Sequence, residues 1–372
     1  MTEETFVREL ERRADAIQPT SLSFRDVQGR AHRIRRRRRV AAASAVAAAV
    51  ALVAIIPTVL SGGSGSHAPE PAPPLPAHTA YLHDGQVTLP DGGTVDVDVD
   101  NANVSELGVL TDGRIVMAMT KPYAVRVYEP DGTLQEQYRV QANVITMSAS
   151  DDAVAWVAED YTVRVLSAGV EEPAELPGIP MPGEGVGSID AVLDAEHLLV
   201  GDYSTTTGEV TPDGYRELTT GEPLRVTDVS PDGKTWAVQY ADDADEQFGC
   251  AGLYDPESAE MIARSCDTAG LRFAPDGEHL LGMLGDNNMA GEVSTFDLDL
   301  EEVGRFDPEG RTTVVSRAAW ADADHLLVTT ADWQTNTWSL VRVGLDGADP
   351  EVVVPSTKGR NPETVVEFLL SE

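Results

Sequence analysis

Basic residues are scarce over most of this sequence. The 372 residues include 27 Lys and Arg against 62 Asp and Glu, and residues 1–39 hold eleven of the arginines with only six acidic residues. Residues 40–372 are left with 16 basic and 56 acidic residues, a net charge of −40 against +5 for residues 1–39. Phosphate binding needs clustered Lys and Arg, so we expect no nucleic acid partner. The acidity suits cations or cationic peptides, and it equally suits a well-solvated surface.

Cysteine is also rare, since Cys250 and Cys266 are the only two. Without a cysteine before Cys250, a His/Cys/Cys zinc site in the N-terminal part is excluded. Two strand-like runs flank the turn-forming residues 255–258, and position 258 is midway between the cysteines. A hairpin folded there places the two side chains opposite each other, so we expect a disulfide, with two free thiols as the alternative.

Only one long stretch, residues 40–60, lacks charge. Its 21 residues are mostly Ala, Val, Leu and Ile and would span about 30 Å as a helix, which matches one bilayer core. Six arginines precede it: Arg33, Arg35, Arg36, Arg37, Arg38 and Arg39. By the positive-inside rule, they predict a single-pass plasma-membrane protein with residues 1–39 cytoplasmic and its C-terminal part extracytoplasmic. A cleaved signal peptide and a twin-arginine export signal are the alternatives, and the 39 preceding residues favour a retained anchor.

The flanks of this span differ in character. Residues 1–39 carry two amphipathic helical patterns that are too small to bury a core, so we expect them to lie on anionic headgroups or to bind a cytosolic protein. Residues 61–78 are rich in Gly and Ser and then in Pro, which predicts a linker. The segment Leu10-Glu11-Arg12-Arg13-Ala14-Asp15, followed by the arginine run and the alanine-rich span, resembles membrane proteins of high-GC actinobacteria. Some of these are similar in layout to membrane-bound anti-sigma factors, which implies a sigma factor as a cytosolic partner.

A pattern of strand, acidic turn and strand recurs along residues 104–356. Its turn aspartates are separated by 38 to 46 residues, and a second turn follows each of them: Asp112, Asp151, Asp194, Asp232, Asp276 and Asp322. Four short strands every ~40 residues indicate a β-propeller blade. Strand-like pieces at 81–99 and 364–370 are left over, and together they would form a closing blade. We therefore predict an all-β, seven-bladed propeller over residues 79–372, with six or eight blades as alternatives.

The turn Ser230-Pro231-Asp232-Gly233 and its equivalents resemble the turns of WD-repeat-like and TolB-like bacterial propellers. The resemblance covers residues 79–372 and implies a fold without implying a chemistry. The Trp-Asp ending of true WD blades is absent, which argues against that narrower subfamily.

No cofactor and no metal site are predicted. The sequence has no nucleophile elbow, no Gly-rich phosphate loop and no carboxylate pair at catalytic spacing. His197, His279 and His325 occupy one repeat position, which predicts turn-exit residues rather than metal ligands. Asp96, Asp98, Asp100 and Asn103 imitate a calcium loop, but Asn101 and Leu107 stand where Gly and Glu are required.

An aromatic residue stands at the connection between the second and third strands in five of the six repeats. The candidate ligand-binding residues are these aromatics and two acidic neighbours: Tyr123, Tyr161, Tyr203, Tyr240, Trp333, Asp202 and Asp243. On a propeller these connections open on the face opposite the Asp-Gly turns, so they would suit stacking on sugars or binding a cationic group. The alternative is that aromatics simply favour strand ends.

The favoured function is a binding or sensing module for a protein or glycan ligand, anchored in the membrane and coupled to a cytosolic partner. A cell-envelope hydrolase or lyase with its site on the propeller face is the alternative, and a structural scaffold is the third hypothesis. We favour the non-enzymatic hypothesis, although a propeller brings residues of distant blades together, so the missing catalytic motifs do not exclude an enzyme.

Overall fold

The computed structural model describes residues 79–178, 187–202, 205–218, 220, 223–240, 249–284, 291–308, 312–348, 350–362 and 365–371. The chain separates into two units, Met1–Pro71 and Ala72–Glu372, and every described residue belongs to the second. The predicted cytoplasmic segment, membrane span and linker therefore lie outside the described residues. Among the described residues, no helix has the length and the apolar character needed to cross a membrane.

The strands follow the predicted repeat. Three strands precede the first complete repeat: β1 (Tyr81–His83), β2 (Gln86–Thr88) and β3 (Thr94–Asp96). Blade 1 comprises β4 (Val104–Val109), β5 (Ile115–Thr120), β6 (Tyr123–Tyr128) and β7 (Leu134–Arg139), and blade 2 comprises β8 (Thr146–Met147), β9 (Ala153–Val157), β10 (Val163–Ser167) and β11 (Ala174–Leu176). Blade 3 comprises β12 (Ser188–Asp194), β13 (His197–Gly201), β14 (Thr206–Thr211) and β15 (Gly214–Glu217). A 3-10 helix, Asn101–Asn103, separates β3 from β4.

Blades 4 to 6 and the C-terminal strand comprise β16 (Leu224–Val229), β17 (Trp236–Tyr240), β18 (Cys250–Asp255), β19 (Glu260–Ser265), β20 (Arg272–Phe273), β21 (His279–Leu284), β22 (Glu292–Asp297), β23 (Glu302–Phe306), β24 (Thr313–Trp320), β25 (His325–Asp332), β26 (Thr337–Gly344), β27 (Glu351–Lys358) and β28 (Leu369–Leu370). They complete seven four-stranded antiparallel sheets.

The seventh blade joins the two ends of the propeller, in the order β28-β1-β2-β3. The prediction of seven blades is thereby confirmed. The predicted C-terminal strand over 364–370 was too long, since only Leu369 and Leu370 pair, with Leu82 and Tyr81 respectively. β28 is the innermost strand of its blade, and the innermost strands β8 and β20 are equally short.

The core lies between blades rather than within them. The described residues form seven buried apolar clusters, and each cluster joins residues of two neighbouring blades around the ring. Since both faces of a blade are covered, a central strand such as β5 reads Ile-Val-Met-Ala-Met without polar alternation. The outermost strand β7, Leu-Gln-Glu-Gln-Tyr-Arg, is half exposed and polar. Each repeat in the sequence therefore contributes to the apolar interfaces between neighbouring blades.

The Asp-Gly turns explain why the period is so visible in the sequence. Asp131 Oδ1 accepts a hydrogen bond of 2.9 Å from the Thr133 N–H, and Gly132 between them has φ +85°. A Cβ on Gly132 would lie 2.2 Å from the carbonyl oxygen of Asp96 in the closing blade. Glycine is therefore required here by both the backbone conformation and the contact with the next blade.

Candidate binding face and central channel

Each blade is a meander, so its turns alternate between two ends. The Asp-Gly turns after the first strands lie on one face of the ring, and the connections between second and third strands lie on the other. We call the second one the upper face. The inner strands of all blades surround a cavity of about 600 Å³ at the ring axis, which we call the central channel.

Three of the predicted aromatic residues are exposed on the upper face. Tyr123 begins β6 in blade 1, Tyr161 stands between β9 and β10 in blade 2, and Trp333 follows β25 in blade 6. Their exposed fractions are 55%, 46% and 47%. Tyr203 and Asp243 lie outside the described residues. The structure therefore presents aromatic surface on three blades of one face.

Hydrogen bonds fix the backbone beside two of these aromatics. Asp332 accepts bonds of 2.9 Å from the N–H groups of Gln334 and Thr335 and one of 2.8 Å from Thr312 Oγ1. The bonds from the Thr335 N–H and then from the Thr312 hydroxyl lower the pKa of Asp332. The Trp333 N–H donates to the Thr312 carbonyl at 3.2 Å. The turn that carries Trp333 is therefore held in one conformation before any ligand binds.

The turn of Tyr161 is built in the same way. Asp160 Oδ1 accepts from Thr162 Oγ1 at 2.7 Å and from its N–H at 3.2 Å, and these bonds lower the pKa of Asp160. The Tyr161 N–H donates to Ala158 O, with Tyr161 itself at φ +67°. The acids next to Trp333 and Tyr161, Asp332 and Asp160, thus hold the turns that carry these two aromatics.

One predicted site residue, Tyr240, needs correction, and the assignment of Asp202 stays a prediction. Tyr240 is only 2% exposed, and the Arg264 guanidinium lies 4.9 Å from its ring centroid. It is the last residue of β17 and its ring is covered, so its assignment as a ligand-binding residue was wrong. Asp202 is exposed, but its Oδ1 accepts from the Thr205 N–H at 2.8 Å and thus holds its own turn.

Charged side chains line the central channel, and the sequence interpretation did not identify them. They come from five inner strands, within seven residues before a turn aspartate: Glu106, Asp190, Arg225, Asp228, Arg272 and Arg317. The available signal was a charged residue within an otherwise apolar inner strand, because strands that line a channel carry polar residues where other inner-strand positions are apolar.

The channel carboxylates take part in hydrogen bonds that link the blades. Asp228 Oδ2 accepts from the Phe273 N–H of the next blade at 2.7 Å, and Glu106 accepts from the Ile145 N–H in the same manner. Asp190 accepts from Ser188 Oγ at 2.8 Å and from Thr206 Oγ1 at 2.7 Å, and burial raises its pKa. These three acids are therefore placed to stabilise the ring.

Three histidines predicted to be turn-exit residues each lie beside an acid of their own blade. His279 Nδ1 is 3.0 Å from Asp276 Oδ2, and His325 Nδ1 is 2.8 Å from Asp322 Oδ1. His197 Nε2 is 3.4 Å from a Glu209 oxygen. A different group, His83 with Asp84 and Glu367, is the one among the described residues whose three ligand atoms lie close enough for a metal ion.

The structure joins Cys250 to Cys266, the pair that the hairpin argument proposed, with Cα atoms 4.0 Å apart. The bond lies in the outer hairpin of blade 4, between the start of β18 and the residue after β19. The predicted turn is present, and Asp255 Oδ1 accepts from the N–H groups of Glu257 and Ser258 at 2.8 and 3.3 Å.

No protein-family model matches the chain, and no curated protein matches it. A solved structure is similar, the β-propeller domain of Cps50 (Swd1) from Myceliophteria thermophila. The similarity has a TM-score of 0.51 at 10% identity and covers 71% of this chain and 88% of that chain. At this identity the similarity shows the fold alone, which is that of a seven-bladed β-propeller.

Proposed function

We propose that this chain is a single-pass plasma-membrane protein whose extracytoplasmic propeller binds a protein ligand on its upper face. The observation that carries the proposal is the exposure of Tyr123, Tyr161 and Trp333 at equivalent connections of three blades. Aromatic side chains in preformed turns supply contact area with little loss of conformational entropy, which is why they dominate binding sites.

The charge of the propeller indicates the kind of protein ligand. Residues 40–372 have a net charge of −40, so a ligand with a basic segment would be attracted over long range and oriented on approach. A glycan is the other ligand class that suits exposed aromatic rings. Binding of a basic protein should weaken steeply with salt, whereas binding of a neutral glycan should not.

An enzymatic function receives less support. The channel carboxylates of Glu106 and Asp228 accept hydrogen bonds from the next blade, and that of Asp190 accepts one from its own blade. A general acid or base must instead be within reach of a substrate proton. Product formation from cell-wall glycan or peptide, lost on substitution of an upper-face acid, would favour the envelope hydrolase or lyase.

The binding proposal is tested with the full chain in detergent. The triple variant Tyr123→Ala, Tyr161→Ala and Trp333→Ala should bind solubilised envelope proteins at least tenfold more weakly than the wild type. A matched control removes three equally exposed apolar side chains from outer strands: Leu134→Ala, Ile262→Ala and Val352→Ala. Equal loss in both triple variants would show nonspecific adhesion, and binding of cell-wall glycan alone would change the ligand class.

Signalling through residues 1–39 is a separate part of the proposal. Its support is the pair of amphipathic helical patterns next to the arginine run, which would offer an apolar stripe to a cytosolic protein such as a sigma factor. Full chains carrying Leu10→Ser and Val27→Ser should lose a cytosolic partner that the wild type retains on purification. If wild type and variant retain the same proteins, the segment is only a membrane tether.

A further inference from the structure

The closing blade carries a group of potential metal ligands that the binding function does not use. His83 ends β1, Asp84 lies in the turn to β2, and Glu367 precedes β28. One ligand atom from each residue lies within 4.8 Å of the other two. The group borders a cavity of about 640 Å³ that is distinct from the central channel. His83 and Glu367 are 284 residues apart along the chain, so the group forms only when the ring closes.

The hydrogen bond of His83 decides which ring nitrogen is available. Its Nδ1 lies 3.1 Å from the backbone oxygen of Glu367, and a carbonyl oxygen can only accept, so Nδ1 carries the proton. In the neutral ring, Nε2 is then an acceptor, and it lies 3.5 Å from Asp84 Oδ2, another acceptor. A cation between these two acceptors would satisfy both of them. A histidine held by its second nitrogen in this way is typical of metal sites.

Asn101 supplies independent evidence of a missing ligand. It is only 3% exposed and lines the same cavity. Its Nδ2 donates to the carbonyl oxygens of Leu82 at 3.2 Å and Glu367 at 2.8 Å. Its Oδ1 has no hydrogen-bond partner among the residues that the structure describes. Buried polar atoms are nearly always paired, so this oxygen is expected to meet a cation or a water bound to one.

The surrounding charges favour a cation and orient one ligand. Three acids line the cavity, Asp84, Asp100 and Glu367, against the two bases Lys358 and Arg360. Arg360 donates to Glu367 Oε1 from its N–H at 2.7 Å and from Nε at 3.1 Å, and to Asp100 from Nη1 at 2.6 Å. The Glu367 carboxylate is therefore held in a fixed orientation, and its Oε2 has only a 3.4 Å contact with Arg360.

We propose that His83 Nε2, Asp84 and Glu367 bind one divalent transition-metal ion of the zinc class. One imidazole nitrogen with carboxylate oxygens suits this class, whereas Ca²⁺ and Mg²⁺ prefer oxygen ligands throughout. Ligand atoms about 2.1 Å from zinc lie roughly 3.4 Å apart, and His83 Nε2 and Asp84 Oδ2 already lie 3.5 Å apart. The ion ties the β1–β2 turn to the segment before β28, across a ladder of only two residue pairs.

The test uses the full, untagged chain, purified in detergent and stripped with a chelator. After dialysis against buffered free Zn²⁺, we expect about one ion per chain by atomic absorption. His83→Gln and Asp84→Asn should each raise the half-saturating Zn²⁺ concentration at least tenfold. Asparagine accepts the left-handed backbone at position 84, where φ is +48°, so this variant is expected to fold. A Zn²⁺ concentration that saturates the wild type should raise its Tm by about 3–6 °C and raise the Tm of each variant clearly less.

His279→Gln is the matched control, because His279 pairs with one aspartate in blade 5 and belongs to no three-ligand group among the described residues. It should bind Zn²⁺ as the wild type does. The proposal is overturned if no ion is retained, since a proton would then bridge His83 and Asp84. It is also overturned if both variants bind like the wild type, which would place the ion elsewhere. Equal retention of Ca²⁺ or Mg²⁺ would overturn the zinc class.

Discussion

Asp151 combines two unfavourable features in one residue. It adopts φ +55° in the turn before β9, and its carboxyl is half-buried at the border of the central channel. Burial, with a smaller contribution from Asp152, raises the pKa of Asp151 to about 7. Since an aspartate in an unfolded chain titrates near 3.9, the folded state loses stability as the pH rises from about 4 to about 7.

We therefore expect Asp151→Asn to stabilise the protein above pH 7. Asparagine keeps the shape, tolerates the left-handed backbone and has no proton to lose. The free energy of unfolding of the variant, relative to wild type, should increase by about 1–3 kcal/mol between pH 5 and pH 8 in urea titrations. The exposed turn variant Asp213→Asn is the control. A difference that does not change with pH would show that Asp151 is ionised throughout.

At the residue scale, the aromatic residue type alone did not predict which of the candidate binding residues are exposed. Tyr123 and Tyr240 both stand next to an upper-face connection, but one begins the third strand of its blade and the other ends the second. Side chains alternate along a strand, so a shift of one position moves a ring from solvent into an interface. Tyr240 is covered by Arg264 for this reason, and only the three-dimensional register reveals it.

At the scale of strands and blades, side-chain hydroxyls form hydrogen bonds that join neighbouring blades. Thr206 Oγ1 donates to Asp190 Oδ2 at 2.7 Å within blade 3 and accepts from the Val226 N–H of blade 4 at 2.8 Å. Thr206→Val removes one hydrogen bond from each of two buried partners and should lower the free energy of unfolding by about 3 kcal/mol in urea. Thr207→Val removes a longer bond, 3.4 Å to Val200 O, and should lower it by under ~1 kcal/mol. Equal effects would contradict the inter-blade role of Thr206.

The disulfide belongs to the same scale, since it closes the outer hairpin of blade 4. Closing a loop of about 15 residues stabilises by ~3 kcal/mol in the chain-entropy model. Replacing Cys250 and Cys266 by Ser should therefore lower the Tm by about 5 °C and increase hydrogen exchange in β18 and β19 most strongly. A thiol titration of the denatured, unreduced wild type should detect no free thiol. Two thiols per chain would support the alternative of unpaired cysteines.

The whole molecule depends on a closure made by very few residues. Leu369 and Leu370 pair with β1, and they belong to the two apolar clusters on either side of the closing blade. Leu369→Asp places a charge in one of these clusters and should cost about 4 kcal/mol, with loss of exchange protection in β1, β2 and β3. Val353→Asp on the exposed edge strand β27 is the control. If blade 7 keeps its protection in Leu369→Asp, the closure does not depend on β28.

The fold was largely predictable from the sequence and the sites only in part, for one physical reason. Blades are built from contacts close in sequence, and their Asp-Gly turns recur at a nearly constant period, so six blades could be counted directly. Trp333 was found because its place in the repeat can be read from the sequence, whereas the group of His83 and Glu367 depends on ring closure. Contacts between residues far apart in sequence leave no local pattern, which is why the sequence did not predict this group.

Site-specific photo-crosslinking in living cells tests most directly whether the upper face is the binding surface. A photoreactive phenylalanine analogue replaces Tyr123, Tyr161 or Trp333 in the full chain, and in control chains it replaces Asp131 or Asp232 in turns of the opposite face. We expect all three upper-face positions to crosslink to the same extracytoplasmic protein, with no such product from positions 131 and 232. Crosslinks that arise equally from both faces, or only from positions 131 and 232, would contradict the account.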